Sequence, residues 1–141
     1  GDIFKYHKNK VNKIKNIYEE KLFNYFLKQN KPILTICRGF QLMAFINKIK
    51  LHRINHHVRK NHVLQLKKNK YINYSSLTVN SYHNYCLKEL PSEYKNISNT
   101  KDGSIEIAEH KKKKILCLMF HPERAMKSQQ QILKSIKKFF K

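Results

Sequence analysis

Hydrophobic residues near the start of the chain recur at intervals of three and four, which predicts an amphipathic helix over residues 11–28. The members of this apolar face are Val11, Ile14, Tyr18, Leu22, Tyr25 and Phe26. Pro32 ends the helix, because the residue before a proline avoids helical backbone angles. A short β-branched run over residues 33–36 then predicts a buried strand, and helical spacing returns over residues 40–46.

The second half of the chain alternates short apolar runs with polar clusters, a pattern typical of strands and loops. Five short strands are predicted, over residues 63–66, 77–79, 94–99, 104–108 and 115–120. Asp102-Gly103 is a hairpin signal between two of them. The chain ends in a predicted helix whose apolar face comprises Ile132, Leu133, Ile136, Phe139 and Phe140.

This order of elements indicates the fold class. Helix, strand, sharp turn and helix in succession predict an α/β fold, with a mostly parallel central sheet flanked by helices. The 141 residues contain no repeat and no linker long enough to divide domains. We therefore predict a single domain over residues 1–141.

The charge of the chain raises nucleic-acid binding as a hypothesis. The formal net charge is +21, from 30 Lys and Arg against 9 Asp and Glu. However, the cations are mostly lysines spread along the whole chain, and arginine is the residue suited to bidentate phosphate contacts. Compositional drift is therefore favoured over a nucleic-acid surface. Lysines 134, 137, 138 and 141 are interpreted as the solvated face of the last helix.

Location is predicted from what the sequence contains and lacks. Three cysteines without paired spacing fit a reducing compartment better than a disulfide framework. We find no stretch of about 20 apolar residues that would span a membrane and no secretory signal pattern. These features predict a cytoplasmic protein that does not bind membranes.

Cys37 lies directly between the predicted strand at 33–36 and the helix that follows. A tight turn there places the side chain at the carboxyl edge of the sheet, where α/β proteins bind ligands. The positive end of the helix favours the thiolate, and Gly39 is expected to allow close approach and unusual backbone angles. Cys37 is thus either a nucleophile on an elbow or an ordinary buried core cysteine.

Two further polar segments follow apolar strands. His121 and Glu123 come directly after the strand at 115–120, and a thiol nucleophile needs such a base and a carboxylate to orient it. The segment VNSYHNY over residues 79–85 also follows a strand. Taken alone, each segment fits a solvated loop as well.

Together these segments resemble one family. The PILTICRGFQL motif over residues 32–42 is similar to the nucleophile motif of class I glutamine amidotransferases, in the peptidase C26 or γ-glutamyl-γ-aminobutyrate hydrolase branch. The VNSYHN, DGSIE and FHPE segments resemble further motifs of that branch and occur in its order. The SYHNYCL segment over residues 81–87 is similar to the corresponding segment of γ-glutamyl-CDP-amidate hydrolases. The resemblance implies a flavodoxin-like sheet that here lacks its first strands, because the chain begins inside the family's oxyanion loop.

The resemblance also implies roles for named residues. Cys37 would attack a γ-glutamyl amide to form a glutamyl thioester, with His121 as base and Glu123 as its orienting carboxylate. The oxyanion donors would be the Arg38 amide and a glycine loop whose tail is Gly1-Asp2-Ile3, with Gly1 as the donor. The residues implied to hold the glutamyl group are Gln41, Ser81, Tyr82 and His83. No cofactor is implied.

The implied partner is a small γ-glutamyl amide or glutamine, and the basic surface adds an anionic nucleotide conjugate as a hypothesis. A homodimer is left open. The alternatives are a glutaminase subunit supplying ammonia to a synthase, an inactive truncated homologue and a basic nucleic-acid-binding protein. A group of histidines (His52, His56, His57 and His62) is interpreted as solvated loop residues and not as a zinc site, since no Cys or carboxylate lies among them. We predict no metal site.

Overall fold

The structure of this protein is a computed structural model, which describes Ile3 and residues 10–141. Within this part the elements follow in the order α1 (Lys10–Lys28), β1 (Ile33–Ile36), α2 (Arg38–Ile46), β2 (His52–Arg53), β3 (Val58–Gln65), β4 (Ser76–Tyr82), β5 (Tyr85–Cys86), β6 (Tyr94–Asn99), β7 (Ile105–His110), β8 (Ile115–Leu118) and α3 (Gln129–Phe140). The predicted helices and strands are therefore confirmed, with β3 and β4 longer than expected.

The central sheet has the strand order β1-β8-β7-β6, and β2–β5 and β3–β4 form two smaller antiparallel pairs. The α/β class is confirmed. The prediction of a mostly parallel sheet is wrong for the described strands, because β1 and β8 are parallel whereas β7 runs antiparallel to both β8 and β6. Short turns join β6 to β7 and β7 to β8, and a short connection can only join antiparallel neighbours.

Strand β8 lies at the centre of the protein and is buried on both faces. Its alternate side chains enter two different hydrophobic cores, as the pleat of a strand requires. One core contains Ile115, Cys117 and Met119 with residues of α1 and α2. The other contains Leu116, Leu118 and Phe120 with residues of α3, β3 and β4. The strand that precedes the HPE motif is therefore packed on both of its faces.

The two terminal helices differ in how they use their apolar residues. In α3, Ile132 and Phe139 are buried as predicted, whereas Phe140 is 52% exposed and was wrongly assigned to the packed face. In α1 the helix is confirmed, but every residue of its predicted apolar face is at least 42% exposed. The buried residues of α1 are Asn16 and Phe23 instead, because the helix packs on α2 and β1 through another face.

Candidate active site

Cys37 forms a strained elbow between β1 and α2. Its backbone angles are φ 45° and ψ −99°, which L-residues other than glycine rarely adopt. The Cys37 amide donates to the Leu118 carbonyl of β8 at 2.7 Å. Its own carbonyl accepts from the amides of Phe40 and Gln41 at 3.0 and 3.1 Å. Such strain persists only where the surrounding structure fixes it, and it clusters at functional sites.

Gly39 has a different role from the one expected. The prediction that it takes unusual backbone angles is wrong, since Gly39 lies inside α2 and the positive φ belongs to Cys37. The expected close approach is observed, because a Cβ added to Gly39 would lie 3.4 Å from the Cβ of Thr35. Gly39 therefore lets the first turn of α2 pack closely on β1.

His121 and Glu123 lie at the same edge of the sheet as Cys37. The parallel register pairs Ile36 with Leu118, so β1 and β8 end side by side. His121 Nδ1 and Glu123 Oε1 are 2.6 Å apart. A carboxylate accepts the Nδ1 proton, which leaves Nε2 of a neutral imidazole as the basic nitrogen. The side chain of Glu123 is 57% exposed, so this pair opens to solvent.

Asn80 holds the backbone of the loop that carries His121. Its Oδ1 accepts from the His121 amide at 2.9 Å, and its Nδ2 donates to the His121 carbonyl at 2.8 Å. The same Nδ2 lies 3.4 Å from the Arg124 carbonyl. Asn80 is 2% exposed, so these bonds are shielded from water. No role was predicted for Asn80 from the sequence, although it belongs to the VNSYHN motif.

The predicted oxyanion donors are described only in part. Arg38 begins α2, where helix amides have no acceptor within the helix. Its guanidinium holds α1 against the elbow through Glu19 at 3.1 Å, the side chain of Asn16 and the Asn12 carbonyl at 3.3 Å. Gly1, the other predicted donor, lies outside the described residues. The oxyanion roles of Arg38 and Gly1 stay predictions.

Gln41 is buried beneath the elbow, and both the oxygen and the nitrogen of its side-chain amide form hydrogen bonds. Its Oε1 accepts from the Ile3 amide at 3.3 Å, and its Nε2 donates to the Tyr85 carbonyl at 3.3 Å. The chain just before α1 is thereby tied to α2. The predicted contact of Gln41 with substrate is untested.

Of the other predicted substrate residues, Tyr82 is half-buried and two are fully buried. The Tyr82 ring meets His121 edge-on, with ring centroids 5.9 Å apart, and the Arg124 guanidinium lies 4.4 Å above the Tyr82 ring. Ser81 and His83 are buried, at 0% and 1% exposure. Tyr82 is therefore the one of these three that meets His121, and the substrate roles of all three stay predictions.

Ser81 and His83 belong instead to a second group of polar side chains in the interior. His57 Nε2 lies 2.8 Å from Asp102 Oδ2, and its Nδ1 lies 3.8 Å from Glu106 Oε1. His83 Nε2 lies 3.4 Å from the same Glu106 oxygen. The expectation of solvated loop histidines is wrong for His57, which is 3% exposed, whereas His56 is exposed.

Burial and hydrogen bonding tune the pKa values around this group. Burial raises the pKa of Asp102, but hydrogen bonds from Thr100, Ser104 and His57 outweigh it and lower the pKa to about 2. Burial also lowers the pKa of His62, and the neighbouring His57 lowers it further. Asp102 is consequently an anion at neutral pH, and it fixes His57 with Nε2–H as the donor.

Comparison with known proteins identifies the family. The Peptidase C26 family matches residues 4–123. The chain belongs to this family. The gamma-glutamyl-CDP-amidate hydrolase of Campylobacter jejuni is 30% identical over 124 residues, which make up 88% of this chain and 58% of that protein. The predicted family is thereby confirmed, and the chain spans little more than half the length of this relative.

Solved structures show the same fold. A protein described as a candidate GMP synthase subunit, from Thermoplasma acidophilum, superimposes with a TM-score of 0.75 at 21% identity, covering 86% of this chain and 63% of its own. A glutamine amidotransferase from Thermotoga maritima gives a TM-score of 0.66 at 21% identity, covering 86% of this chain and 53% of its own. The elbow and the HPE loop of this C26 chain therefore lie on a glutamine amidotransferase fold.

The three cysteines of this C26 chain form no disulfide with one another. Burial raises the pKa of Cys86 and raises that of Cys117 to about 12, in each case against a weaker opposing hydrogen bond from a serine or threonine. Both are therefore neutral thiols near pH 7. In the described part of the chain, no helix is both long and apolar enough to cross a membrane.

Proposed function

We propose that this chain supplies the nucleophile and the base of a cysteine hydrolase that cleaves γ-glutamyl amide bonds and releases glutamate. One observation carries the proposal. A cysteine with a strained left-handed backbone ends β1, and a histidine bonded to a carboxylate at 2.6 Å follows the neighbouring parallel strand β8. The relationship to a gamma-glutamyl-CDP-amidate hydrolase at 30% identity supports the same chemistry.

The proposed reaction has two halves. His121 Nε2 takes the thiol proton of Cys37 as Sγ attacks the γ-carbonyl carbon, and a tetrahedral oxyanion forms. The C–N bond then breaks, His121 returns the proton to the leaving amine, and a glutamyl thioester remains. Water, deprotonated by His121, attacks the thioester carbonyl and releases glutamate, and the proton returns to the sulfur. No redox partner or cofactor is needed.

The supporting residues have separate tasks in this scheme. Glu123 keeps the Nδ1 proton on His121, so that Nε2 is the basic nitrogen. Asn80 fixes the backbone of His121 through both its amide and its carbonyl. The Arg38 amide, at the first turn of α2, would donate to the oxyanion, and loss of one such donor typically costs about 10²–10³-fold in rate.

The surroundings of His121 favour an anionic leaving group. Arg124 lies over the Tyr82 ring, and that ring in turn meets His121. A guanidinium held beside the base is suited to a phosphate on the departing amine. We therefore propose a nucleotide-type γ-glutamyl amide as the substrate class. Equal KM values for phosphorylated and neutral γ-glutamyl amides, in wild type and in Arg124→Gln alike, would contradict this assignment.

Glutamate release from a panel of γ-glutamyl amides, glutamine included, tests the reaction itself. Cys37→Ala should abolish release, whereas Cys117→Ala, which removes a buried thiol of β8, should retain it. Release that survives Cys37→Ala, or a folded wild-type chain that releases no glutamate from any member, contradicts the proposed hydrolase. Glutamine as the best substrate would instead favour a glutaminase subunit that supplies ammonia to a synthase, since both activities use the same triad.

A further inference from the structure

A second site lies in the interior, behind the VNSYHN segment. Three side chains meet there from three separate places: His57 before β3, His83 after β4 and Glu106 in β7. Their imidazole and carboxylate atoms all lie within 4.8 Å of one another. All three residues are at most 3% exposed. A buried group of two histidines and a carboxylate needs a physical explanation, because each polar atom there must find a partner.

The outer hydrogen bonds decide which ring nitrogens point inward as acceptors. His83 Nδ1 lies 3.1 Å from the Tyr85 carbonyl, which only accepts, so this nitrogen carries the proton. His57 Nε2 lies 2.8 Å from the Asp102 carboxylate and carries the proton for the same reason. The neutral imidazoles therefore turn His83 Nε2 and His57 Nδ1 inward as lone pairs, toward the Glu106 carboxylate.

The neighbouring hydroxyl groups leave this mismatch in place. Ser81 donates its proton to the His57 carbonyl at 2.6 Å, so it has none for His57 Nδ1. Ser104 donates to Glu106 Oε1 at 3.0 Å. Within the described residues, His83 Nε2 and Glu106 Oε2 are buried atoms with no hydrogen-bond partner. Lone pairs that face lone pairs at a buried site are unfavourable unless a proton or a metal cation lies between them.

We propose that His57 Nδ1, His83 Nε2 and the Glu106 carboxylate bind one divalent transition-metal ion, with Zn²⁺ as the reference ion. Bond lengths of 2.0–2.1 Å in a tetrahedral site place ligand atoms about 3.3–3.4 Å apart. The His83–Glu106 separation of 3.4 Å meets this value. The His57–Glu106 separation of 3.8 Å must close slightly, and the two histidine nitrogens, which lie within 4.8 Å of each other, must also approach for the ion to be held. Imidazole and carboxylate together suit zinc better than magnesium or calcium.

The surroundings have the features of a metal site. In metal sites, a histidine ligand usually donates a hydrogen bond from its other ring N–H to a carboxylate or a backbone carbonyl. His57 and His83 have such partners here. A cavity of about 500 Å³, lined in part by His57, His62 and Asp102, opens next to the group and offers an entry path. A bound ion would join the β3, β4 and β7 regions and so hold the segment that carries Asn80 and Tyr82. His83 would then be a ligand and not a substrate contact.

The competing explanation is a proton. A protonated His83 could donate from Nε2 to Glu106 and form a buried ion pair without any metal. Metal binding in solution separates the two explanations, because only the metal site binds an added ion stoichiometrically. The proposal is also independent of catalysis at Cys37, so a catalytically silent chain tests it equally well.

Metal titration of the whole chain tests the proposal. After treatment with a chelator and dialysis, the protein is titrated with Co²⁺, followed by its visible d–d absorption, and then with Zn²⁺ in competition. We expect one equivalent per chain. Glu106→Gln and His83→Asn should each weaken binding by at least about 100-fold, in line with loss of a ligand. The matched control is His56→Asn, which removes a neighbouring exposed imidazole and suits the left-handed backbone at φ 64°, and it should bind as wild type does.

The proposal is overturned if the folded wild-type chain binds no stoichiometric metal, or if binding is unchanged in Glu106→Gln and His83→Asn. Circular dichroism checks that each variant is folded. Should a variant fail to fold, long-range ¹⁵N–¹H spectra of the wild-type histidines carry the test. Zinc must then shift one histidine through Nδ1 and another through Nε2. Shifts confined to other histidines, or none, also refute the site.

Discussion

Two histidine–carboxylate pairs in the described part of the chain use the same residue types in opposite surroundings. His121 and Glu123 lie at the end of β8, bonded at 2.6 Å and open to solvent on the carboxylate side. His83 and Glu106 lie 3.4 Å apart and are fully buried. In the exposed pair, His121 Nδ1–H donates to the Glu123 carboxylate. Nε2 is then the nitrogen that exchanges a proton with a substrate in the proposed reaction. In the buried pair, the His83 Nε2 lone pair faces the Glu106 carboxylate, and the proposed cation would lie between them.

The comparison shows that burial decides what a histidine and a carboxylate can do. An exposed pair contributes little to stability, because water screens it and replaces it readily. A buried pair must be fully satisfied, since removing one partner leaves the other unpaired in the interior. Loss of the first should therefore appear in catalysis, and loss of the second in stability and metal binding. Four experiments test this division.

The largest effect is expected from His121→Asn. The change removes the base while asparagine keeps a polar side chain at the strand end, so we expect glutamate release to fall by about 10⁴-fold. The melting temperature should stay within about 2 °C of wild type, because the Glu123 partner is open to solvent and Asn80 still holds the backbone at position 121. Initial rates and thermal unfolding measure the two. A large fall in melting temperature would mean that this pair also stabilises the fold and would break the comparison.

The cysteines beside the two groups should differ in reactivity. Burial raises the pKa of Cys86, whose neighbours include Ser104 and Glu106, so iodoacetamide should modify it at least about 10³-fold more slowly than Cys37 at pH 7.5. Below its pKa the thiolate fraction of Cys86 rises about tenfold per pH unit, so its rate should rise with pH. Peptide mass spectrometry over time measures both rates. Equal rates would mean that Cys37 is not an activated nucleophile.

Glu106→Ala should destabilise the fold by about 2–4 kcal/mol, because it removes the acceptor of the buried Ser104 hydroxyl and opens a cavity. The matched change at the exposed pair, Glu123→Ala, should cost under about 1 kcal/mol. Urea unfolding of the metal-free proteins gives both values. If the two substitutions cost the same, burial does not separate the two groups.

The smallest effect is expected from Glu123→Gln. Glutamine keeps the size of the side chain but holds the histidine tautomer less well, so kcat should fall by about 10–10²-fold with KM nearly unchanged. The exposed position of Glu123 limits the loss, since water can take over part of its role. Steady-state kinetics measure this split. A change confined to KM would point to a role in substrate binding instead.

The placement of Cys37, His121 and Glu123 at strand ends could be predicted from sequence because each part of this group is local, and their catalytic roles stay predictions. Cys37 follows a recognisable strand, and His121 and Glu123 are two positions apart after another. The buried group could not, since His57, His83 and Glu106 come from three regions that only the folding of β3, β4 and β7 brings together. A search of the sequence for carboxylates close to the histidine-rich segment misses Glu106, because it lies 49 positions after His57.

The fold shows the same limit of local pattern. Periodicity predicted α1 correctly, yet it predicted that Leu22 and Phe26 are packed, and they are 55% and 42% exposed. Apolar spacing gives the element, but which face is covered depends on what lies against it. Likewise, strand direction followed from the length of connections and not from the composition of β7, whose buried residues suit either pairing.

The left-handed backbone of Cys37 has an evolutionary consequence. Glycine adopts a positive φ without strain, whereas an L-residue there is disfavoured by about 1–2 kcal/mol. A lineage released from selection for catalysis would gain stability by replacing cysteine with glycine at this position. The codon for Cys37 is therefore among the first that neutral drift should erase. Under the proposed function, its presence reflects selection for the thiol that acted against the stability of the fold.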